Sequence, residues 1–206
     1  LLEGNPGSGK TTLAIQCLLE GARLGESVLY ITLSETKGEL EAVARSHGWS
    51  LKDLPIFELI AQESELDADN QYTMFHPSEM ELTVTTKAIL AKVDELRPSR
   101  VVIDSLSEMR LLAQNSLRYR RQILALKQFF MGRQCTVLLL DDRSGDGHDL
   151  QLQSIAHGVI ELEQLSPEYG AERRRLRVMK FRGQTYRAGY PDFKIIRGGL
   201  DVYPRL

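Results

Sequence analysis

Near its start the chain gathers glycines, a lysine and a hydroxyl into one octapeptide, Gly4-Asn5-Pro6-Gly7-Ser8-Gly9-Lys10-Thr11. The glycines let successive backbone N–H groups turn into a single concavity, a nest for phosphate oxygens. Lys10 is spaced to reach the β- and γ-phosphates of a nucleotide, and Thr11 to offer its hydroxyl to Mg²⁺. The expected nucleotide-binding residues are Asn5, Pro6, Gly7, Ser8, Gly9, Lys10, Thr11 and Thr12. The pattern is G-x-x-x-x-G-K-[ST], and its context fits the chemistry. Leu1-Leu2-Glu3 reads as the end of an apolar strand, and Thr12 to Leu19 as a buried helix that directs its positive end at the anion. A chance glycine-rich turn would lack that strand–loop–helix setting.

A phosphate cradle only binds. Hydrolysis also needs a carboxylate for Mg²⁺ and a base that orients water. Asp104 closes the apolar strand Arg100-Val101-Val102-Ile103-Asp104-Ser105 and would emerge at the carboxyl edge beside the cradle. Thr11 and Asp104 are the expected metal pair; the competing reading of Asp104 is a cap for the next helix. Ser34 and Glu35 end the strand Val28-Leu29-Tyr30-Ile31-Thr32-Leu33 and face the same crevice. Only Glu35 can usefully accept a proton, so it is the expected base; otherwise it is a solvated carboxylate ahead of a helix cap. Lys180 and Arg182 lie two apart on a late strand and so share a face. Two adjacent cations call for an anion, which a neighbouring subunit's γ-phosphate would supply. Spacing alone favours a solvated strand face.

The elements that must position these groups alternate. The helix after the cradle runs to about Leu24 and stops at Gly25. Thr36-Lys37-Gly38-Glu39 is a capping box opening a helix with Leu40, Val43 and Ala44 inward, ended by Gly48. Ile56 to Ile60 is a third strand. The stretch 62–77 is a polar loop whose Glu63, Glu65, Asp67 and Asp69 read as solvated rather than as a cation site. Ser78-Glu79-Met80-Glu81 is a second capping box, before a helix with Leu82, Ile89, Val93 and Leu96 and a stop at Pro98. After the Asp104 strand come a helix from about Leu117 to Met131, with Ile123, Leu126 and Phe130 on one face, and a strand from Cys135 to Asp142. A flexible loop at 144–149, a short helix and strands at 158–163, 174–181, 192–196 and 200–203 complete the chain. The fold class is α/β: a mostly parallel sheet flanked by helices, with additional antiparallel strands at the C-terminal end. Residues 1–206 form a single domain, and the first strand reads as cut short, which predicts a trimmed N-terminal element.

Composition narrows the partners. With 26 basic and 28 acidic residues the net charge is −2, so no strong basic field argues for nucleic acid. Arg173-Arg174-Arg175 with Arg177 is flanked by Glu168 and Glu172 and reads as a solvated hairpin. Arg118, Arg120 and Arg121 around Tyr119 read as surface, and Trp49 as a packing anchor. Cys17 and Cys135 each sit in apolar segments as small core residues, and no histidine or cysteine spacing supports zinc. There is no signal peptide and no membrane-length apolar run, which predicts a cytoplasmic protein.

Taken together, the chain resembles the KaiC-like branch of the RecA/RadA-type ATPases. The resemblance rests on Gly4 to Thr12 (Walker A), Tyr30 to Thr36, Val101-Val102-Ile103-Asp104-Ser105 (Walker B), Gln151 to Glu163 and Val178-Met179-Lys180-Phe181-Arg182-Gly183. The Walker pair is common to many ATPases; the Lys-x-Arg-Gly strand and the Ser-Glu-Thr strand end are far more specific. The resemblance implies a RecA-like P-loop NTPase fold, ATP and Mg²⁺ as ligands, and a homo-oligomeric ring, a hexamer, with ATP between subunits. It implies that Lys180 and Arg182 reach the neighbour's nucleotide, completing a site at which Lys10, from the spacing of the cradle, and Glu35, from its place at the strand end, are the other expected catalytic residues. It further implies slow hydrolysis in signalling or timing, a protein partner of unknown identity, and protein-kinase activity only in a second ATPase domain beyond this one. Where KaiC has paired glutamates this chain has Ser34-Glu35, and the RecA catalytic glutamate aligns with Ser34. Two alternatives stay open. One is a DNA-handling recombinase or helicase relative, against which Asp146 and Asp149 of the 144–149 loop count. The other is a nucleotide sensor or scaffold that does not hydrolyse.

Overall fold

The computed structural model describes residues 1–59, 77–143, 150–166 and 168–204. The acidic stretch after Ile60 and the 144–149 loop lie outside them. Among the described residues nine strands form one sheet in the order β3-β2-β4-β5-β1-β6-β7-β8-β9. These are β1 (Leu2–Gly4), β2 (Val28–Thr32), β3 (Ile56–Glu58), β4 (Arg100–Asp104), β5 (Thr136–Asp142), β6 (Gly158–Leu165), β7 (Arg173–Phe181), β8 (Asp192–Ile196) and β9 (Gly199–Tyr203). The first six pair in parallel, and β7, β8 and β9 are added antiparallel. The architecture is the α/β sheet flanked by helices that the alternation of elements implies, and it has the RecA-like form that the resemblance implies.

Side-chain alternation along the strands builds two cores. Tyr30 and Val102 face one side with Leu2, Leu140 and Leu162; Ile31 and Ile103 face the other. The first side is covered by α1 (Lys10–Arg23) and α2 (Lys37–Ser46), with Phe193 and Leu200 of the terminal hairpin folding against them. The second is covered by α3 (Pro77–Leu96), α4 (Leu106–Ala113), α5 (Ser116–Phe130) and α6 (Leu150–Ile155). Thr36 caps α2 in a reciprocal capping box with Glu39, as the sequence predicts. Trp49 packs half-buried against the first core. Both cysteines are free thiols. Among the described residues no helix is long and apolar enough to cross a membrane.

Three expectations change. The described part of α3 spans Pro77–Leu96, so Ser78 lies inside the helix rather than capping it from before. The helix α4 is an addition: eight residues with only Leu106, Met109 and Ala113 buried are too short to stand out from a single sequence. The arginine strand is not simply solvated. Arg173 pairs with Asp192, Arg175 with Glu163, and Arg177 donates to Tyr190.

The helix α1 holds the cradle in place through Ala14, Ile15 and Leu18, all fully buried. Leu18→Ala should therefore lower unfolding stability by about 2–5 kcal/mol, the usual cost of a buried leucine deletion. A urea midpoint matching that of the unaltered protein would mean that α1 is not anchored through this side chain.

Candidate functional site

The cradle lies where three strand ends meet. Gly4 of β1 is in register with Asp142 of β5 and Leu162 of β6. Glycine is needed twice over. Gly9 has φ 104°, and a Cβ there would sit 2.9 Å from Ile195 Cδ1. At Gly4 a Cβ would meet the Leu162 carbonyl oxygen at 2.7 Å. Gly9 is the N-cap of α1 and caps it with no side chain, so the first-turn N–H groups are left for an anion. Ser8 is fully buried, and its hydroxyl has no hydrogen-bond partner among the described residues. Asn5 and Pro6 are exposed on the rim, and the Asn5 carbonyl accepts from Ser8 N. Thr12 is buried, with Oγ1 3.5 Å from His47 Nε2.

Lys10 is folded into this cradle. Its Nζ donates to the carbonyls of Gly4 at 2.8 Å and Asn5 at 3.0 Å, and lies 2.7 Å from Asp142 Oδ1. Asp142 was not singled out from the sequence. The available signal was a second apolar strand ending in carboxylates, Asp141-Asp142, at the same edge as Asp104.

Asp104 is not a helix cap. Ser105 holds the N-cap position of α4. Asp104 Oδ2 instead accepts from Tyr30 OH at 2.5 Å and from Thr11 Oγ1 at 3.3 Å. Burial pushes the Asp104 carboxyl above the ordinary aspartate range, while the bonds from Tyr30 and Thr11 and the nearby Lys10 pull it back. The buried Tyr30 phenol is held well above its usual range by burial and then by Asp104, so it remains a donor. Tyr30 too went unnoticed in the sequence, where it reads as one more apolar strand residue. Side by side, the Thr11 hydroxyl and the Asp104 carboxylate are hard oxygen donors in a partly desolvated setting, which suits Mg²⁺ held by one or two protein oxygens and the substrate's phosphates.

Glu35 sits beyond β2 on a short turn. Thr32 Oγ1 donates to the Glu35 carbonyl at 2.7 Å and accepts from Glu35 N at 3.0 Å. The helix cap is Thr36, and Ser34 is exposed. Glu35 is half-buried, and its Oε2 has no partner among the described residues. Its carboxyl is raised above the ordinary glutamate range by burial, then by Asp104, Glu39 and Asp142, with Lys10 opposing. An unpaired carboxylate oxygen of raised basicity can accept a proton from water.

Lys180 and Arg182 are not brought to this cradle. Lys180 Nζ donates to the carbonyl of Gln153, and Arg182 Nη2 to that of Ser154 at 2.7 Å. On the sheet face opposite α1, a row of buried acids backs the cradle. Glu3 is in register with Asp141 and Glu161, and the three are satisfied by Gln153, Arg110 and Arg143 respectively. Burial pushes the Asp141 carboxyl up to about 6 despite its Arg110 partner.

Comparison with known proteins shows the family and the fold. A sequence model of the family described as "ATPase: KaiC" matches residues 1–206. A UPF0273 protein of Pyrococcus horikoshii is 25% identical over 214 residues, covering 99% of this chain and 85% of that protein. The circadian clock oscillator protein KaiC of Synechococcus elongatus is 25% identical over 210 residues, 99% of this chain and 40% of its own length. The crystal structure of the KaiC-like protein PH0186 from Pyrococcus horikoshii superposes with a TM-score of 0.79 at 24% identity, covering 98% of this chain and 88% of that one.

The Tyr30–Asp104 bond is a local test of the site. Tyr30→Phe keeps the ring and removes one donor to a buried carboxylate, which should cost about 1.5–3 kcal/mol of stability at neutral pH in nucleotide-free protein. An unchanged urea midpoint would mean that the phenol does not hold Asp104.

Proposed function

The chain belongs to the KaiC family of ATPases, and from that premise we propose that it binds ATP with Mg²⁺ at Gly4 to Thr12 and hydrolyses it slowly as one cytoplasmic ATPase domain of a homo-oligomeric ring, six copies in signalling or timing. The backbone N–H groups of the cradle and Lys10 receive the phosphates; Lys10 leaves Asp142 to do so, and the triphosphate replaces that carboxylate as its counter-charge. Thr11 and Asp104 hold Mg²⁺, which offsets charge on the phosphates when bound. Tyr30 fixes the Asp104 carboxylate. Glu35 orients the attacking water and takes its proton. Lys180 and Arg182 complete the site of the adjoining subunit and stabilise charge on its transferring phosphoryl group.

The observation that carries hydrolysis beyond mere binding is the unpartnered, buried Oε2 of Glu35, two elements away from the phosphate cradle but beside Asp104 in charge. Glu35→Gln should bind ATP normally and lose roughly 10²–10⁴-fold in turnover. Because the Glu35 carboxyl is raised, turnover of the unaltered protein should fall on acidification at a pH above the ordinary glutamate range, and the variant should lack that limb. Unchanged turnover in Glu35→Gln would make Glu35 a carboxylate outside the reaction, with water oriented by another group; absence of turnover in the unaltered protein would favour the second reading, a nucleotide sensor. Lys10→Ala should lose both binding and turnover, and Asp104→Asn turnover.

Completion in trans has its own test. Arg182→Ala should bind ATP and lose about 10³–10⁵ in rate, the range for a finger arginine. Mixing it with Lys10→Ala subunits should restore activity, since some interfaces then pair an intact cradle with an intact Arg182. No recovery on mixing would place the two cations outside the reaction.

A further inference from the structure

The last turn of α6 is held by three cations from three directions. Lys127 of α5 donates to the Ile155 carbonyl at 2.9 Å, Lys180 of β7 to that of Gln153, and Arg182 to that of Ser154 at 2.7 Å. These are the carbonyls a helix leaves without partners at its C-terminal end, where its dipole carries only about half a negative charge. Among the described residues no carboxylate pairs with any of the three cations. Lys180 is lowered from the ordinary lysine range by burial and then by Arg182 and Lys127, so like charges crowd there. A triphosphate offers full negative charge, and would draw Lys180 and Arg182 away from neutral carbonyls. The backbone need not move: Arg182 N donates to the His157 carbonyl at 3.0 Å, so the strand end stays while the side chains swing.

The same helix touches the chain's own cradle. The side-chain amide of Gln153 donates to Glu3 Oε2 at 2.8 Å. Glu3 is the residue before Gly4 and is buried in register with Asp141, next to the Asp142 that pairs with Lys10. Gln153 thus carries a bond from Lys180 on its carbonyl and a bond to the cradle strand on its amide.

We propose that the end of α6 is a latch that holds Lys180 and Arg182 in the free protomer and releases them to a neighbour's nucleotide, with Gln153 relaying that release to Glu3 and the chain's own cradle. The latch rests on the proposed completion in trans and adds a regulation to it. A neighbour's ATP unloads two of the three cations on α6, Lys127 keeps the helix attached, and the occupancy of one site is felt at the next. Such coupling is reciprocal by linkage.

Hydrogen exchange of the peptide spanning 152–157 reads the latch, with sedimentation on the same samples reporting assembly. With Mg²⁺ and a non-hydrolysable ATP analogue, this peptide in the unaltered protein should exchange about 5- to 150-fold faster, the common range of coupling between sites. In a Lys180→Ala, Arg182→Ala variant it should already be fast and should not respond. Gln153→Leu, which keeps the carbonyl but loses the amide, should retain the exchange response while the cooperativity of turnover with ATP concentration falls to none. Assembly with exchange unchanged or slowed overturns the latch alone. A response that survives in the double variant also overturns it. Failure of the analogue to drive any assembly overturns the trans reading, and the latch with it. Retained cooperativity in Gln153→Leu overturns the relay through Glu3.

Discussion

The site depends on the expense of keeping charge at the buried carboxyl edge of a parallel sheet. Lys10, Asp104 and Asp142 meet there with little exposure for the first two, and an unpaired ion in such a place costs several kcal/mol. In the free chain the cost is offset by local partners. Lys10 takes Asp142 and two carbonyls, and Asp104 takes Tyr30 and Thr11. Each of those partnerships is one that a metal–nucleotide complex can replace with a stronger one. The carboxylates Asp104 and Glu35, both raised by burial, gain most from a cation arriving beside them.

The sheet topology makes this arrangement unavoidable. The strand β1 lies between β5 and β6, so the cradle leaves the sheet beside Asp142 on one side and Leu162 on the other. Connections from β1 and β5 run to opposite faces, α1 over one core and α6 over the other. Crevices of this kind, at the carboxyl ends of parallel strands, are where α/β folds bind ligands. The opposite face carries Glu3, Asp141 and Glu161 directly behind the cradle, so the backing of the site is polar and hydrogen-bonded rather than inert.

The sequence made the fold and half the site legible because those parts rest on local rules. Glycines at a phosphate turn, a capping box at Thr36 and apolar strands ending in a carboxylate are each written within a few residues. Asp104 could be placed because it ends such a strand, and Glu35 because it follows one by a short turn. Tyr30 and Asp142 could not, because their roles arise only when β2, β4, β5 and β1 lie side by side. The short helix α4 was hidden by its length, and Ser78, which reads as a cap, lies within α3. Lys180 and Arg182 illustrate the other limit: period-2 spacing put them on one face, but their partners are carbonyls of α6, groups that every residue carries and that no sequence pattern marks.

The central claim is that an ATP-hydrolysing site is built from two chains. Steady-state turnover with Mg²⁺ and saturating ATP, measured over a wide range of protein concentration, tests it most directly. Activity per chain should be near zero when dilute and should rise to a plateau in step with assembly, because a lone chain presents Lys10, Asp104 and Glu35 to its nucleotide while its Lys180 and Arg182 remain on α6. Activity per chain that stays constant into the monomeric range would contradict it.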